Sequence, residues 1–232
     1  MSTDFSGVSA GQTRNEPLQL PAAVLWDMDG TLVDTEPFWI SGEMGLVAEY
    51  GGEWTHEDSL SLVGSGLIEA ARYIKTRANV PLTPEQIVER LAGNVIAELS
   101  KNVPWQPGVL ELLRQFRELG IPQALVTMSY KEIAAPVIAG AGVFDVVVTG
   151  DLGLPPKPDP APYARACELL GVEPGRAIAI EDSPTGARSA NAAGCFVIGV
   201  PHAVRVPEAT HRHVVQSLAG VTAQQMARWA SL

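Results

Sequence analysis

The 232-residue sequence predicts an α/β fold in which a parallel sheet carries helices on both faces and one stretch departs from that plan as a small all-helical insert. Three observations carry this expectation. Short apolar runs at 22–26, 124–126, 146–148, 177–180 and 196–200 each end in a polar cluster, as strands buried on both faces do. Helix-like stretches at 130–139, 160–170 and 184–193 follow the second, third and fourth of these runs, giving the alternation of βαβ units. Between Asp34 and about Val103 the strand signal vanishes and helical patterns fill 38–50, 67–76 and 84–100. The layout is Rossmann-like.

Taken in order, residues 1–17 are mostly polar or small, carry one basic residue (Arg14) and lack the apolar segment of a secretory signal, so a flexible tail and a cytoplasmic protein are expected. Residues 18–33 open the core, 34–103 form the insert, and 104–232 return to the core. Pro104 and Pro107 punctuate that return, ahead of a helix over about 109–119 that Gly120 closes. Gly171 likewise closes the helix at 160–170. No apolar run approaches the roughly 18 residues a membrane span needs, so no membrane partner is expected. Cys167 and Cys195 are too few for a disulfide framework and read as two reduced, packed thiols.

The net charge of −10 disfavours nucleic acid, whose binding depends on Lys and Arg neutralising phosphates. The insert alone holds five basic and eleven acidic residues, a net of −6, and is no clamp for a polyanion. A small anionic substrate stays compatible, provided that a local cation offsets the acidic field.

The strongest local signal is Asp27-Met28-Asp29-Gly30-Thr31 at the end of the first run. Two carboxylates two positions apart on extended backbone share a face, roughly 6 to 7 Å apart, and can divide labour between nucleophile and proton donor. Gly30 lets the chain turn away. A second pair, Glu181-Asp182, ends the run at 177–180. Taken alone it fits a helix-capping turn. At the carboxyl edge of a parallel sheet it also converges on the first pair, and such a cluster calls for a hard cation such as Mg²⁺. Thr127-Met128-Ser129 offers hydroxyls and N–H groups before a helix, where anions bind. Lys157 lies between prolines that stiffen its loop, and at the same edge it would balance nucleophile and phosphate. His211-Arg212-His213 lacks a third ligand at metal spacing and reads as a solvated loop.

In order and spacing, Asp27-Met28-Asp29-Gly30-Thr31, Thr127, Lys157 and Glu181-Asp182 resemble the four motifs of the haloacid dehalogenase superfamily, from about Ala23 to Val200. The helical insert directly after the first motif is similar to the subclass with a small helical cap. The resemblance implies Asp27 as nucleophile, Asp29 as general acid and base, Thr127 as phosphate donor and Lys157 as charge balance. It implies Mg²⁺ held by the Asp27 carboxylate, the Asp29 carbonyl and the Asp182 carboxylate, with Glu181 a direct or water-mediated partner. Thr127, Met128, Ser129 and Lys157 would bind substrate, Met128 through its backbone N–H since it stands where Asn is frequent. Trp39 and the turn Val63-Gly64-Ser65-Gly66 read first as packing and loop geometry, with Trp39 and Ser65 as the cap residues placed to meet substrate.

The implied activity is Mg²⁺-dependent hydrolysis of a small phosphorylated metabolite, a sugar phosphate or similar, by a monomer or small homo-oligomer. The alternative is a sugar phosphomutase of the β-phosphoglucomutase type, which would place His where Trp39 aligns and a basic residue in the cap turn. A dehalogenase would need neither Asp29 nor Asp182. A catalytically silent binding module would not need every catalytic position intact.

Overall fold

The structure is a computed structural model whose described residues are 18–230, so the tail expected over residues 1–17 lies outside them. The strands are β1 (Ala23–Trp26), β2 (Gln123–Val126), β3 (Val146–Val148), β4 (Ala177–Glu181), β5 (Phe196–Gly199) and β6 (Arg212–Val214). They form one sheet in the order β3-β2-β1-β4-β5-β6, and every pairing is parallel. The strand period of two sends alternate residues to opposite faces. Val24 and Trp26 enter one apolar cluster while Ala23 and Leu25 enter the other, all four without exposure.

Helices α5 (Val109–Glu118), α6 (Lys131–Ala141) and α9 (Ala223–Ala230) cover the first face, through side chains such as Phe116, Val137 and Met226. Helices α7 (Ala161–Leu170) and α8 (Pro184–Ala192) cover the second, through Tyr163, Ala166 and Ala187. Each fully buried Leu or Phe in these layers contributes roughly 1.5–3 kcal/mol. Cys167 and Cys195 are both buried there as free thiols, with their sulfurs 4.0 Å apart in a weak hydrogen bond.

Between β1 and α5 lie α1 (Glu36–Glu49), α2 (His56–Leu60), α3 (Leu67–Arg77) and α4 (Pro84–Lys101), with no strand among them. Helix α4 shows why this stretch is helical. Thr83 caps it, accepting from the Gln86 N–H at 3.3 Å while Gln86 Oε1 accepts from the Thr83 N–H at 2.9 Å, and Pro84 suits the first turn. Its apolar stripe then serves two cores. Ile87, Val88 and Leu91 join Leu46, Val47 and Ile74 in a cluster of the insert's own, whereas Val95 and Leu99 join the cluster beneath the sheet.

Besides two 3₁₀ turns, Gly150–Leu152 and Pro174–Arg176, three elements were not anticipated. Helix α2 is one short turn set by a capping box between Thr55 and Asp58. Helix α9 follows the last strand. Strand β6 corrects the expectation of a solvated loop at His211-Arg212-His213: Arg212 and His213 pair with Val197 and Ile198, and the His213 ring stacks on Trp229 at 4.5 Å. The open edge of β5 supplies the hydrogen-bonding groups that recruit this strand, whose own sequence has no apolar signature. No helix among the described residues is long and apolar enough to cross a membrane.

Candidate active site

The register of the sheet assembles the site. Trp26 lies opposite Ile180 on one side and Leu125 on the other, so the residues just past β1, β2 and β4 come out at one level on the carboxyl edge. Asp27 and Asp29, Thr127 and Ser129, and Glu181 and Asp182 therefore line one crevice. Lys157 enters it from the loop before α7.

Lys157 is 4% exposed and fully engaged. Its Nζ donates to Asp27 Oδ1 at 2.6 Å, Glu181 Oε1 at 2.7 Å and the Val126 carbonyl at 3.0 Å. Tyr163 Oη, also donating to Glu181 Oε1 at 2.7 Å, completes the network. Burial alone would lower the lysine pKa, but Asp27 and Glu181 override it and hold Nζ charged well above the usual range. Burial pushes Asp27 up to about 7, with Lys157 pulling against that rise and Glu181 adding to it.

Three buried carboxylates crowd a site whose one ammonium contacts only two of them, Asp27 and Glu181. Asp27, Glu181 and Asp182 each offer an oxygen, and these atoms lie within 4.8 Å of one another. Asp182 Oδ2 is buried without a hydrogen-bond partner. Burial, then Asp27 and Glu181, drive the Asp182 pKa well upward. An orphaned acceptor beside two more carboxylates fits a hard divalent cation, which would meet the lone pairs and remove the repulsion. Glu181 is the least available of the three, since Oε1 serves Lys157 and Tyr163 while Oε2 accepts from Ser183 N at 3.3 Å and Oγ at 3.1 Å.

Two glycines make room. Gly30 has φ of +84°, and a Cβ there would run into Asp182 Oδ2. A Cβ at Gly186, in the first turn of α8, would collide with the Glu181 carboxylate.

Asp29 is fixed by hydroxyls and an indole. Its Oδ1 accepts from Thr35 Oγ1 at 2.6 Å and Trp39 Nε1 at 3.2 Å, and its Oδ2 from Ser129 Oγ at 2.7 Å and, more loosely, Thr127 Oγ1 at 3.4 Å. Thr127 and Ser129 thus lie against Asp29, while α6 itself begins two residues further on, at Lys131. Met128 lines the crevice as well.

The insert closes the crevice from above. Trp39 and Ser65 both line it, and the turn holding Ser65 packs on the core, where a Cβ at Gly64 would sit 2.9 Å from Ser183 Oγ. Two further lining residues, Glu36 and Glu43, were not among the expected site residues. Burial, then Asp29, Glu43 and Asp34, raise Glu36 to about 7, and burial also raises Glu43 against hydrogen bonds from Ser59 and Trp54. A signal for them existed. Positions 36, 39 and 43 are spaced i, i+3, i+7 and share one face of α1.

Known proteins resemble this chain over most of its length. The chain is 30% identical over 199 residues to a phosphoglycolate phosphatase of Thiobacillus denitrificans, covering 80% of this chain and 85% of the relative. It is 31% identical over 186 residues to a validoxylamine A 7'-phosphate phosphatase of Streptomyces hygroscopicus subsp. limoneus, covering 76% and 84%. A crystal structure of CbbY from Rhodobacter sphaeroides in complex with xylulose 1,5-bisphosphate superposes with a TM-score of 0.78 at 28% identity, covering 87% of this chain and 96% of that one. The sequence pattern of the haloacid dehalogenase-like hydrolases matches residues 24–200, a span that takes in every residue placed in the crevice, and the chain therefore belongs to that family.

Proposed function

We propose that this phosphoric monoester hydrolase transfers the phosphoryl group of a small sugar phosphate, or a similar metabolite, onto Asp27 and then to water. The observation that carries the reading is the buried contact of Lys157 Nζ with Asp27 Oδ1 at 2.6 Å, two residues from an Asp29 held by four donors. The relatives, named as phosphatases of small phosphorylated metabolites, support it.

In the first step an Asp27 oxygen attacks phosphorus, the ester P–O bond breaks, and Asp29 gives its proton to the departing oxygen. In the second a water oxygen attacks the phosphorus of the aspartyl phosphate, Asp29 takes the water proton, and the bond to Asp27 breaks to release inorganic phosphate. Thr127 and Ser129, whose hydroxyls donate to Asp29, would turn to donate to phosphate oxygens, and Lys157 offsets charge at Asp27 throughout. Asp27, Asp182 and the Asp29 carbonyl would hold Mg²⁺, with Glu181 acting directly or through water. When bound, the ion supplies neutralisation of the clustered carboxylates and of the phosphate.

Hydrolysis is favoured over the phosphomutase alternative because Trp39 donates to Asp29 where a mutase would carry His. β-Glucose 1-phosphate should accordingly give free sugar without glucose 6-phosphate.

The decisive experiment uses Asp29→Asn with p-nitrophenyl phosphate. Its nitrophenolate leaves without protonation, whereas water attack on the phosphoenzyme stays slow, so rapid mixing should show a burst near one equivalent per enzyme. Loss of proton transfer should cost an alkyl phosphate about 10²- to 10⁴-fold in kcat. Equal slowing of the first step for both substrates would remove Asp29 as general acid. Full turnover by Asp27→Asn, or in excess chelator, would remove the nucleophile or the metal.

A further inference from the structure

We infer that Glu36 and Glu43 make the cap a filter for the charge of the leaving group, admitting a neutral polyhydroxylated moiety and turning away one that carries a carboxylate or a second phosphate. The inference rests on the phosphatase reading and names the substrate class of the same site.

The charge around the crevice supplies the first part of the argument. Its lining holds five carboxylates (Asp27, Asp29, Glu36, Glu43 and Asp182) and one ammonium, Lys157, already committed to Asp27 and Glu181. A cation held by Asp27 and Asp182 would offset the core acids, and Glu36 and Glu43 are not among the residues that would hold it. The cap has basic residues, but each is engaged elsewhere. Arg72 pairs with Glu69, Arg77 with Asp58, Arg90 with Glu49 and Lys101 with Glu98, while Lys75 donates to the Val80 and Leu82 carbonyls. None of the five lines the crevice. A leaving-group carboxylate would find no countercharge in the cap.

Hydrogen-bond chemistry supplies the second part. Glu43 is 5% exposed, and Trp54 Nε1 donates to its Oε2 at 3.2 Å, which fixes the side chain. Glu36 takes no hydrogen bond from any described residue and carries acceptor capacity into the crevice beside Trp39. A hydroxyl can donate to a carboxylate or accept from a carboxylic acid, so it pairs with Glu36 in either state. A carboxylate offers only acceptors to an ionised Glu36, the state that prevails above about pH 7. The apolar remainder of the lining, including Leu62, Leu67 and Leu91, suits the carbon skeleton of a sugar or polyol.

The test compares substrates that differ only in a terminal CH₂OH or COO⁻, at saturating Mg²⁺ and about pH 8.5, where Glu36 is ionised: 2-hydroxyethyl phosphate with 2-phosphoglycolate, glycerol 3-phosphate with 3-phosphoglycerate, and glucitol 6-phosphate with 6-phosphogluconate. In the wild-type protein kcat/KM should favour the neutral member of the best-used pair by about 10²-fold. Glu36→Gln and Glu43→Gln should each shrink that ratio, by about tenfold for Glu36→Gln, mainly through KM for the carboxylate. A wild-type ratio at or below one overturns the inference and leaves the phosphatase reading intact, as does an unmoved ratio in both folded variants. If either variant fails to fold, the wild-type ratio still decides. Absence of phosphate release from every pair and from p-nitrophenyl phosphate would instead overturn the underlying reading.

Discussion

The crevice at the sheet edge and the helical cap above it both bury carboxylates, but they treat them differently. At the sheet edge Lys157 meets Asp27 and Glu181 within 2.7 Å, and Tyr163 and Ser183 saturate the rest of Glu181. In the cap Glu43 is nearly as buried, yet its donors are the neutral Trp54 N–H and Ser59 hydroxyl, and no lysine or arginine among the described residues pairs with it. The cap's ion pairs lie mostly on its surface, with Arg90 and Glu49 about half exposed. The difference teaches where each region spends its electrostatics: the core pairs its buried acids with a cation, and the cap holds its acids through neutral donors or leaves them open to the crevice.

The most severe way to break this contrast is Lys157→Met. It strands Asp27 and Glu181 in a buried site without their ammonium and should cost about 3–5 kcal/mol. For a chain of this length the thermal midpoint should fall by roughly 2–4 °C per kcal/mol. Calorimetry showing an unchanged midpoint would mean that the core does not depend on its buried cation.

A smaller effect should appear in the pH dependence of the cap. Glu36 is raised from an ordinary carboxylate value of 4.5 to about 7. Within that window the folded chain keeps a proton that the unfolded chain has released, so stability falls as pH rises and levels off above about 7. Glu36→Gln should therefore gain stability over the wild type progressively between pH 4.5 and 7 when both are melted in chelator. A difference that stays flat across the window would separate Glu36 from the buried acidic field. The smallest effect belongs to the cap surface: Arg90→Ala removes an exposed pair and should cost about 0.2–1 kcal/mol, less in high salt. A loss comparable to that of Lys157→Met, seen in urea titration, would erase the contrast altogether.

Much of the molecule was legible in the chain because the forces involved are local or periodic. Strands buried on both faces appear as short apolar runs, and β1 through β5 lie within a residue of where those runs placed them. The capped, amphipathic α4 announces itself through Thr83, Pro84 and a stripe of apolar residues. Asp27, Asp29, Thr127, Glu181 and Asp182 could be gathered for a related reason: residues at the ends of neighbouring parallel strands must emerge on one edge, whatever their separation in sequence, whereas Lys157, in the loop before α7, was placed with them through its proline-flanked loop and the order of the motifs.

What only the tertiary structure decided lacks such a rule. Strand β6 exists because β5 leaves an edge to be filled, which Arg212 and His213 do not advertise. Glu181 stands beside Asp182 in the chain, but its carboxylate is drawn toward Lys157, Tyr163 and Ser183, leaving Asp182 Oδ2 as the orphaned acceptor. Glu36 and Glu43 look like ordinary solvated acids on a helix until the cap is docked. Sequence by itself determined five of the six strands, the longer helices and the residues at the strand ends, since period and register act on a side chain through its own backbone. The spacing of positions 36, 39 and 43 puts two acids on one face of α1 with Trp39, but whether that face meets the crevice or solvent depends on how two separately packed cores meet.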